Sequence, residues 1–426
     1  MTGKRTEAYF LAVCRSLGIR MRPSMSDAAI AAEPEKPRSW LSRFASLELL
    51  DNRYPSLHGL RTMGIISVVQ WHVTWILWFE NDVPLNRPLV DFFTSIFFGM
   101  DLFFVLSGFL IGSILLRSLE KTGSQDLRRF YLRRVLRTFP SYYIVLTILA
   151  LAFSLTEMQR KHLIFEYTYL TNFVSLHRPQ VIMFWGWSMA LEEQFYLFVP
   201  LLFFLLHRLR TNRLRIALLS TLCLIALVVR LAIYYQGRPW NDFVLYGALY
   251  FKTYTRFDTL AAGILLALIH RQYRDVLAKW LEHPLHRAML ALPALSCLWL
   301  LLQPTMFGAE HVQLVKVFSW GTLTSVMYLC ALPLLLNSDG FVTRFLSWPI
   351  FRKVATLGYG LYLVHIPIID HLVVPGVKAL HARGWSLGLL WIGALVFTLS
   401  LSGLIAYALH LFIEKPSLWL RHKIAD

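Results

Sequence analysis

Chemistry is first visible in an apolar stretch, LHGLRTMGIISVVQWHV, that places Arg61 and His72 eleven residues apart. In an α-helix eleven steps of about 100° leave about 20° of rotation and a rise of about 16.5 Å, so both side chains share one face at two depths. An ionisable group in hydrocarbon is costly, so each calls for a partner or a function. A histidine there suits general-base work, although a snorkelling Arg and a hydrogen-bonded His would satisfy the same constraint without chemistry. The segment GMDLFFVLSGFLIG adds Asp101, able to fix an imidazole tautomer or neutralise a cation, and Ser107. Gly108 and Gly112 beside them read as close-packing positions. WSMALEEQFYLFVP places Ser188, Glu192 and Tyr196 at i, i+4 and i+8, a hydroxyl, a carboxylate and a phenol on one stripe expected near the outer half of the membrane, with Glu193 about 100° away. In TRFDTLAAGILLA, Arg256 and Asp258 read as an ion-paired cap at the outer surface. In LGYGLYLVHIP, Tyr362 and His365 stand one turn apart, spaced for a His–Tyr hydrogen bond.

A second kind of chemistry is anion binding. Between residues 117 and 138 seven Lys and Arg face only Glu120 and Asp126, and Arg133, Arg134 and Arg137 precede Pro140. A cytoplasmic loop carries such charge without any ligand. The use of Arg rather than Lys at helical spacing adds forked donors suited to phosphate, which points to a phosphorylated cytoplasmic ligand. Four cysteines, Cys14, Cys223, Cys297 and Cys330, have no metal-ligand spacing, so neither a metal site nor a disulfide framework is expected.

The elements that position these residues follow from composition. Of 426 residues 56% are hydrophobic and 16% charged, and the mean hydropathy is +0.52. Those proportions exclude a set of soluble domains. Ten apolar spans are predicted near 59–79, 91–116, 139–157, 185–206, 216–236, 257–270, 288–303, 314–336, 357–373 and 387–412. With the N-terminus inside, 30 Lys and Arg fall on the cytoplasmic side and 9 outside, with Arg61, Arg230 and Lys316 within spans. That asymmetry places both termini in the cytoplasm. It also accounts for the net charge of +17 without nucleic acid as a partner. The expected fold is all-α, a polytopic helix bundle of about ten spans over residues 58–416. A partly disordered cytoplasmic tail over 1–57, with a surface-lying helix near Trp40–Leu50, would precede it, and a short cytoplasmic tail over 417–426 would follow. The charged first twenty residues leave no signal-peptide core, and no internal repeat marks an inverted-repeat transporter.

Taken together, and in this order, the segments resemble the acyltransferase-3 family of membrane acyltransferases over roughly residues 54–416. The matching stretches are Arg61 with His72, GMDLFFVLSGFLI, RRVLRTFPSYY, WSMALEEQFYLFVP, TRFDTLAAGILLA, LGYGLYLVHIP and the closing IEKP. The resemblance implies transfer of an acyl group, often acetyl, from cytoplasmic acyl-CoA to a hydroxyl of a glycan or small molecule, commonly at the outer face of the cell membrane. It assigns catalysis to His72, support to Arg61, and CoA contacts to Arg134 and Arg137 with Arg133 beside them. Asp101 and Glu192 are candidates to orient the imidazole. Ser107, Ser188, Tyr196, Arg256, Asp258, Tyr362 and His365 are candidates to contact substrate, with Trp185 and Trp187 near the outer mouth. No resident cofactor is expected, acyl-CoA being a donor co-substrate. His58 stands where the family usually has Asp, and Gly358 and Gly360 replace its usual Ser residues, which bears on substrate choice. Within this sequence no C-terminal hydrolase domain is expected. The rival reading is a transporter or flippase using the buried His and carboxylates as a proton relay; it gives no reason for the cytoplasmic Arg pair.

Overall fold

A computed structural model describes residues 45–122, 126–174, 180–303 and 310–425, and among these there is no strand. Most of the segment expected as a surface helix lies outside the described residues, as do Cys14 and the rest of the tail. Ten long helices order the chain: α1 Pro55–Trp75, α2 Gly99–Thr122, α3 Leu127–Ala152, α4 Trp187–Arg208, α5 Asn212–Gln236, α6 Thr253–Gln272, α7 Pro284–Leu301, α8 Thr324–Leu336, α9 Pro349–Ile368 and α10 Leu387–Leu409. They match the ten predicted spans in order. Nine candidate spans among the described residues are long and apolar enough to cross a membrane, and α6 is not one of them. Its Arg256, Asp258 and Arg271 count against it, yet every residue from 258 to 268 is buried. A helix sheathed by its neighbours needs no apolar exterior, since the neighbours meet the lipid. The contrast with α5 is direct: only 17% of its most apolar window is buried, against 61% for α1.

The small residues of α2 explain how α6 reaches the centre. A Cβ on Gly108 would lie 2.1 Å from the carbonyl oxygen of Leu260, and one on Gly263 would lie 2.2 Å from that of Val105. Any larger side chain at either position would force the two backbones apart. Four helices also carry a wide, π-type turn at Ile76–Glu80, Ser319–Leu323, Ile369–Val373 and His410–Glu414. Such turns recur where a helix is bent for a function. The second is a true kink, with Gly321 at φ +132°, a conformation open to glycine.

On the side expected to face outward, a helix over Glu157–Tyr167 is opened by a capping box between Thr156 and Gln159. Its buried Glu166 accepts the backbone N–H groups of Ile182 and Met183, each at 2.8 Å. Burial pushes the Glu166 carboxyl up, against the pull of those two bonds. The anchor fixes the turn over Phe184–Gly186 from which α4 starts. On the opposite side, residues 48–54, assigned above to the tail, pack on the bundle. The Glu48 N–H donates to His410 Nε2 at 3.1 Å, and Arg352 Nε donates to the Leu50 carbonyl at 2.7 Å.

Candidate active site

Two chambers lie along one face of α1. The inner one, about 340 Å³, is walled by His58, Arg61 and Ile65 of that helix and by residues of α2, α3, α4 and α9. Five arginines line it, Arg53, Arg61, Arg117, Arg134 and Arg137, against four carboxylates, Glu48, Asp51, Glu192 and Glu414. The Arg134 guanidinium lies 5.4 Å from the centre of the Tyr196 ring, a cation–π contact that fixes its plane. Glu192 accepts hydrogen bonds from both Ser107 and Tyr196, while Glu193 turns to the Thr138 hydroxyl at 2.7 Å. The sequence stripe stays together but lines the inner chamber and not the outer end expected for it: Ser188, Glu192 and Tyr196 all face this cavity, with Ser107 and Tyr362. Arg133 is not among its walls, because one residue of helix turns it about 100° from Arg134.

The outer chamber is about 30 Å³ and is lined by Val68, Trp71 and His72 of α1 with Phe97, Met100, Trp187, Tyr246, Tyr250 and Tyr362. Among the described residues only Met100 and Tyr362 belong to both chambers. The Tyr362 phenol is held twice, donating to the Trp185 carbonyl at 2.8 Å and accepting from Ser188 Oγ at 2.8 Å. It does not bond His365, whose Nδ1 instead donates to the Tyr362 backbone carbonyl at 2.7 Å.

That bond decides the protons of a histidine pair. A carbonyl can only accept, so His365 Nδ1 carries hydrogen and, in the neutral ring, His365 Nε2 is the lone-pair nitrogen. It lies 3.1 Å from His72 Nδ1, which is also 3.0 Å from the Val68 carbonyl. Both partners demand a proton on His72 Nδ1, which leaves Nε2 as the basic nitrogen of His72. The imidazole of His72 is thus oriented by His365 and by its own helix, not by Asp101 or Glu192.

Asp101 is engaged elsewhere. Its carboxylate pairs with Arg256, and Asp258 pairs with Arg230 Nη2 at 2.7 Å, all four side chains being at most 1% exposed. The expected exposed cap formed by Arg256 with Asp258 is therefore corrected: each finds its partner on another helix, and neither lines a chamber. The reason is burial of α6, since a charge out of water is tolerable only when paired. Arg230 accordingly also donates to the Val317 carbonyl at 2.9 Å, to the Thr322 hydroxyl at 2.6 Å and to the Thr255 carbonyl. Gly321 leaves the room, for a Cβ there would lie 2.5 Å from Asp258 Oδ2. Arg256 lies 4.6 Å from the Tyr250 ring centre, so this charge cluster stands directly behind the aromatic wall of the outer chamber. Trp187 lines that chamber, whereas Trp185 is buried beside it, 6.5 Å from His365 between ring centres.

Sequence reasoning left unassigned Arg230, which was visible only as a lone cation inside a span, and the inner-wall residues Asp51, Arg53, His58 and Arg117. It also missed Trp71, Phe97, Met100, Tyr246 and Tyr250, which carry no pattern that separates a chamber wall from a lipid-facing aromatic. Among the described residues no group of His, Cys, Asp and Glu is arranged to hold a metal ion, and Cys223, Cys297 and Cys330 are free thiols.

Comparison with known proteins gives this geometry a context. Residues 54–407 match the family model described as "Acyltransferase domain", Acyl_transf_3. The chain is 28% identical over 337 residues to "Putative peptidoglycan O-acetyltransferase YrhL" of Bacillus subtilis (strain 168), a match over 75% of this chain and 49% of the relative. It is 25% identical over 349 residues to the peptidoglycan O-acetyltransferase OatA of Listeria monocytogenes, covering 78% of this chain and 51% of that protein. The chain thus spans about half the length of the curated relatives it matches. No solved structure matches it. With the model match running from just before α1 to the end of α10, the chain belongs to the acyltransferase-3 family.

Proposed function

We propose that the protein is a membrane O-acyltransferase that moves an acetyl group from acetyl-CoA, held in the inner chamber, to a hydroxyl of a glycan presented at the outer chamber. The observation that carries this reading is that a cavity lined by five arginines shares two lining residues, Met100 and Tyr362, with a smaller chamber lined by His72. Arg134 and Arg137, with Arg61, offer forked donors to the CoA phosphates. Phosphates stay where water still reaches them, and the thin pantetheine arm carries the thioester toward His72.

In the step itself His72 Nε2 takes the proton of the acceptor hydroxyl as its oxygen attacks the thioester carbonyl carbon. The oxygen–carbon bond forms, the carbon–sulfur bond breaks, and the thiolate recovers the proton from the imidazolium, leaving an ester and free CoA thiol. His365 keeps the imidazole in the reactive tautomer and is a positioning residue. Two relatives are named for peptidoglycan, which makes a peptidoglycan-type glycan the first acceptor to test and a bacterial cell membrane the expected location.

The test is label transfer from radioactive acetyl-CoA in membranes bearing the unaltered protein, His72→Ala, or Arg134→Ala with Arg137→Ala, followed by fractionation of glycans, lipids and small molecules. Label reaching an acceptor only with the unaltered protein is expected. Equal labelling in all three, joined to absence of saturable CoA binding, overturns the reading, and CoA-independent solute flux would then put a transporter in its place.

A further inference from the structure

The two chambers differ more than tenfold in volume, about 340 Å³ against about 30 Å³, and among the described residues they share Met100 and Tyr362. The smaller volume is room for about two water molecules. A methyl with its carbonyl is of that scale, and a longer acyl chain exceeds it. Those walls are braced. Trp71 Nε1 donates to the Thr94 carbonyl at 3.2 Å. Tyr250 is backed by the Arg256 guanidinium at 4.6 Å. Tyr362 is pinned between Ser188 and Trp185. Met100 alone of the two boundary residues has no hydrogen bond to fix it. Its unbranched thioether can change rotamer without breaking a polar contact. It is 7% exposed and precedes Asp101, which is anchored by its pairing with Arg256.

Resting on the functional reading above, we infer that Met100 is the acyl-size selector of this protein: its side chain closes the passage between the chambers and limits the group that reaches His72 to two carbons. A hydrophobic pocket distinguishes one methylene by about 10- to 200-fold. A two-carbon ceiling set by one movable side chain is therefore within what a single substitution can shift.

The experiment uses the full chain in native membranes, supplied in turn with acetyl-, propionyl-, butyryl- and hexanoyl-CoA, and reads the ratio of butyryl to acetyl transfer. Met100→Ala is expected to raise that ratio by about 10-fold or more. Met100→Leu, which keeps the bulk, is expected to leave the ratio within about threefold, and Met100→Phe to suppress transfer of every chain, acetyl included. Cross-linking or fluorescence-detected size exclusion checks that each variant inserts and folds. An unaltered ratio in Met100→Ala, or equal loss of all chain lengths in Met100→Ala and Met100→Leu, overturns the assignment while leaving the acyltransferase reading in place. Failure of the unaltered protein to transfer any acyl group would instead remove the functional reading and the selector with it.

Discussion

Inner and outer chambers share α1, α2, α4 and α9, yet their chemistries are opposite. Among the described residues the inner one carries five arginines and four carboxylates, and the outer one has no Lys, Arg, Asp or Glu in its walls. One helix face supplies both: His58, Arg61 and Ile65 below, Val68, Trp71 and His72 above. The division follows the cost of charge. Guanidinium groups line the wide cavity, and elsewhere in the bundle they are buried only when paired, as Arg230 and Arg256 are. What the contrast teaches is that one helix face can hold charged groups in a wide cavity at one end and present an imidazole in a small aromatic pocket at the other.

Each of the following outcomes would sharpen or break that contrast. The largest effect is expected at the outer chamber. His72→Ala should lower transfer by about 10²- to 10⁴-fold, the contribution of a positioned general base, with unchanged membrane insertion and CoA binding. Retention of full transfer would remove the base from the outer chamber. Next comes the foundation behind the aromatic wall. Asp101→Ala leaves Arg256 buried without its carboxylate, and about 3–5 kcal/mol of stability should be lost, read as a lower melting temperature in detergent. An unshifted melting curve would mean that water already reaches this cluster.

At the inner chamber, Arg134→Ala and Arg137→Ala should each weaken donor binding by about 1.5–3 kcal/mol, the worth of a charged hydrogen bond. The effect should appear in KM for the acyl donor and vanish from it for Trp71→Ala. An equal KM change from the outer-wall variant would dissolve the distinction between the two sites. The smallest effect is expected for His365→Gln. It keeps a polar group near His72 but not the ring that fixes its tautomer, so kcat should fall about 10-fold with KM for the donor unchanged. A KM effect confined to the acceptor would make His365 a substrate contact instead.

Much of the bundle is legible in the sequence because bilayer thickness and the positive-inside bias act on composition alone. The ten spans, and the stripe of Ser188, Glu192 and Tyr196, need only helical periodicity. The same holds for Gly108, whose missing side chain signals close approach before the partner on α6 is known. Periodicity says nothing about which helix faces which. For that reason Arg256 and Asp258, two residues apart, read as partners and are not: two residues along a helix are about 200° apart, so they point to different neighbours.

Sequence by itself thus determined the solvent, the helices, the family and the residue types at the chemistry. Tertiary structure alone decided that His365 rather than a carboxylate orients His72, and that Asp101 serves Arg256. It also decided that Met100 and Tyr362 stand between the chambers. The reason is physical. Burial and hydrocarbon are averages over many residues that composition records, whereas a proton's position depends on one contact between side chains 293 residues apart.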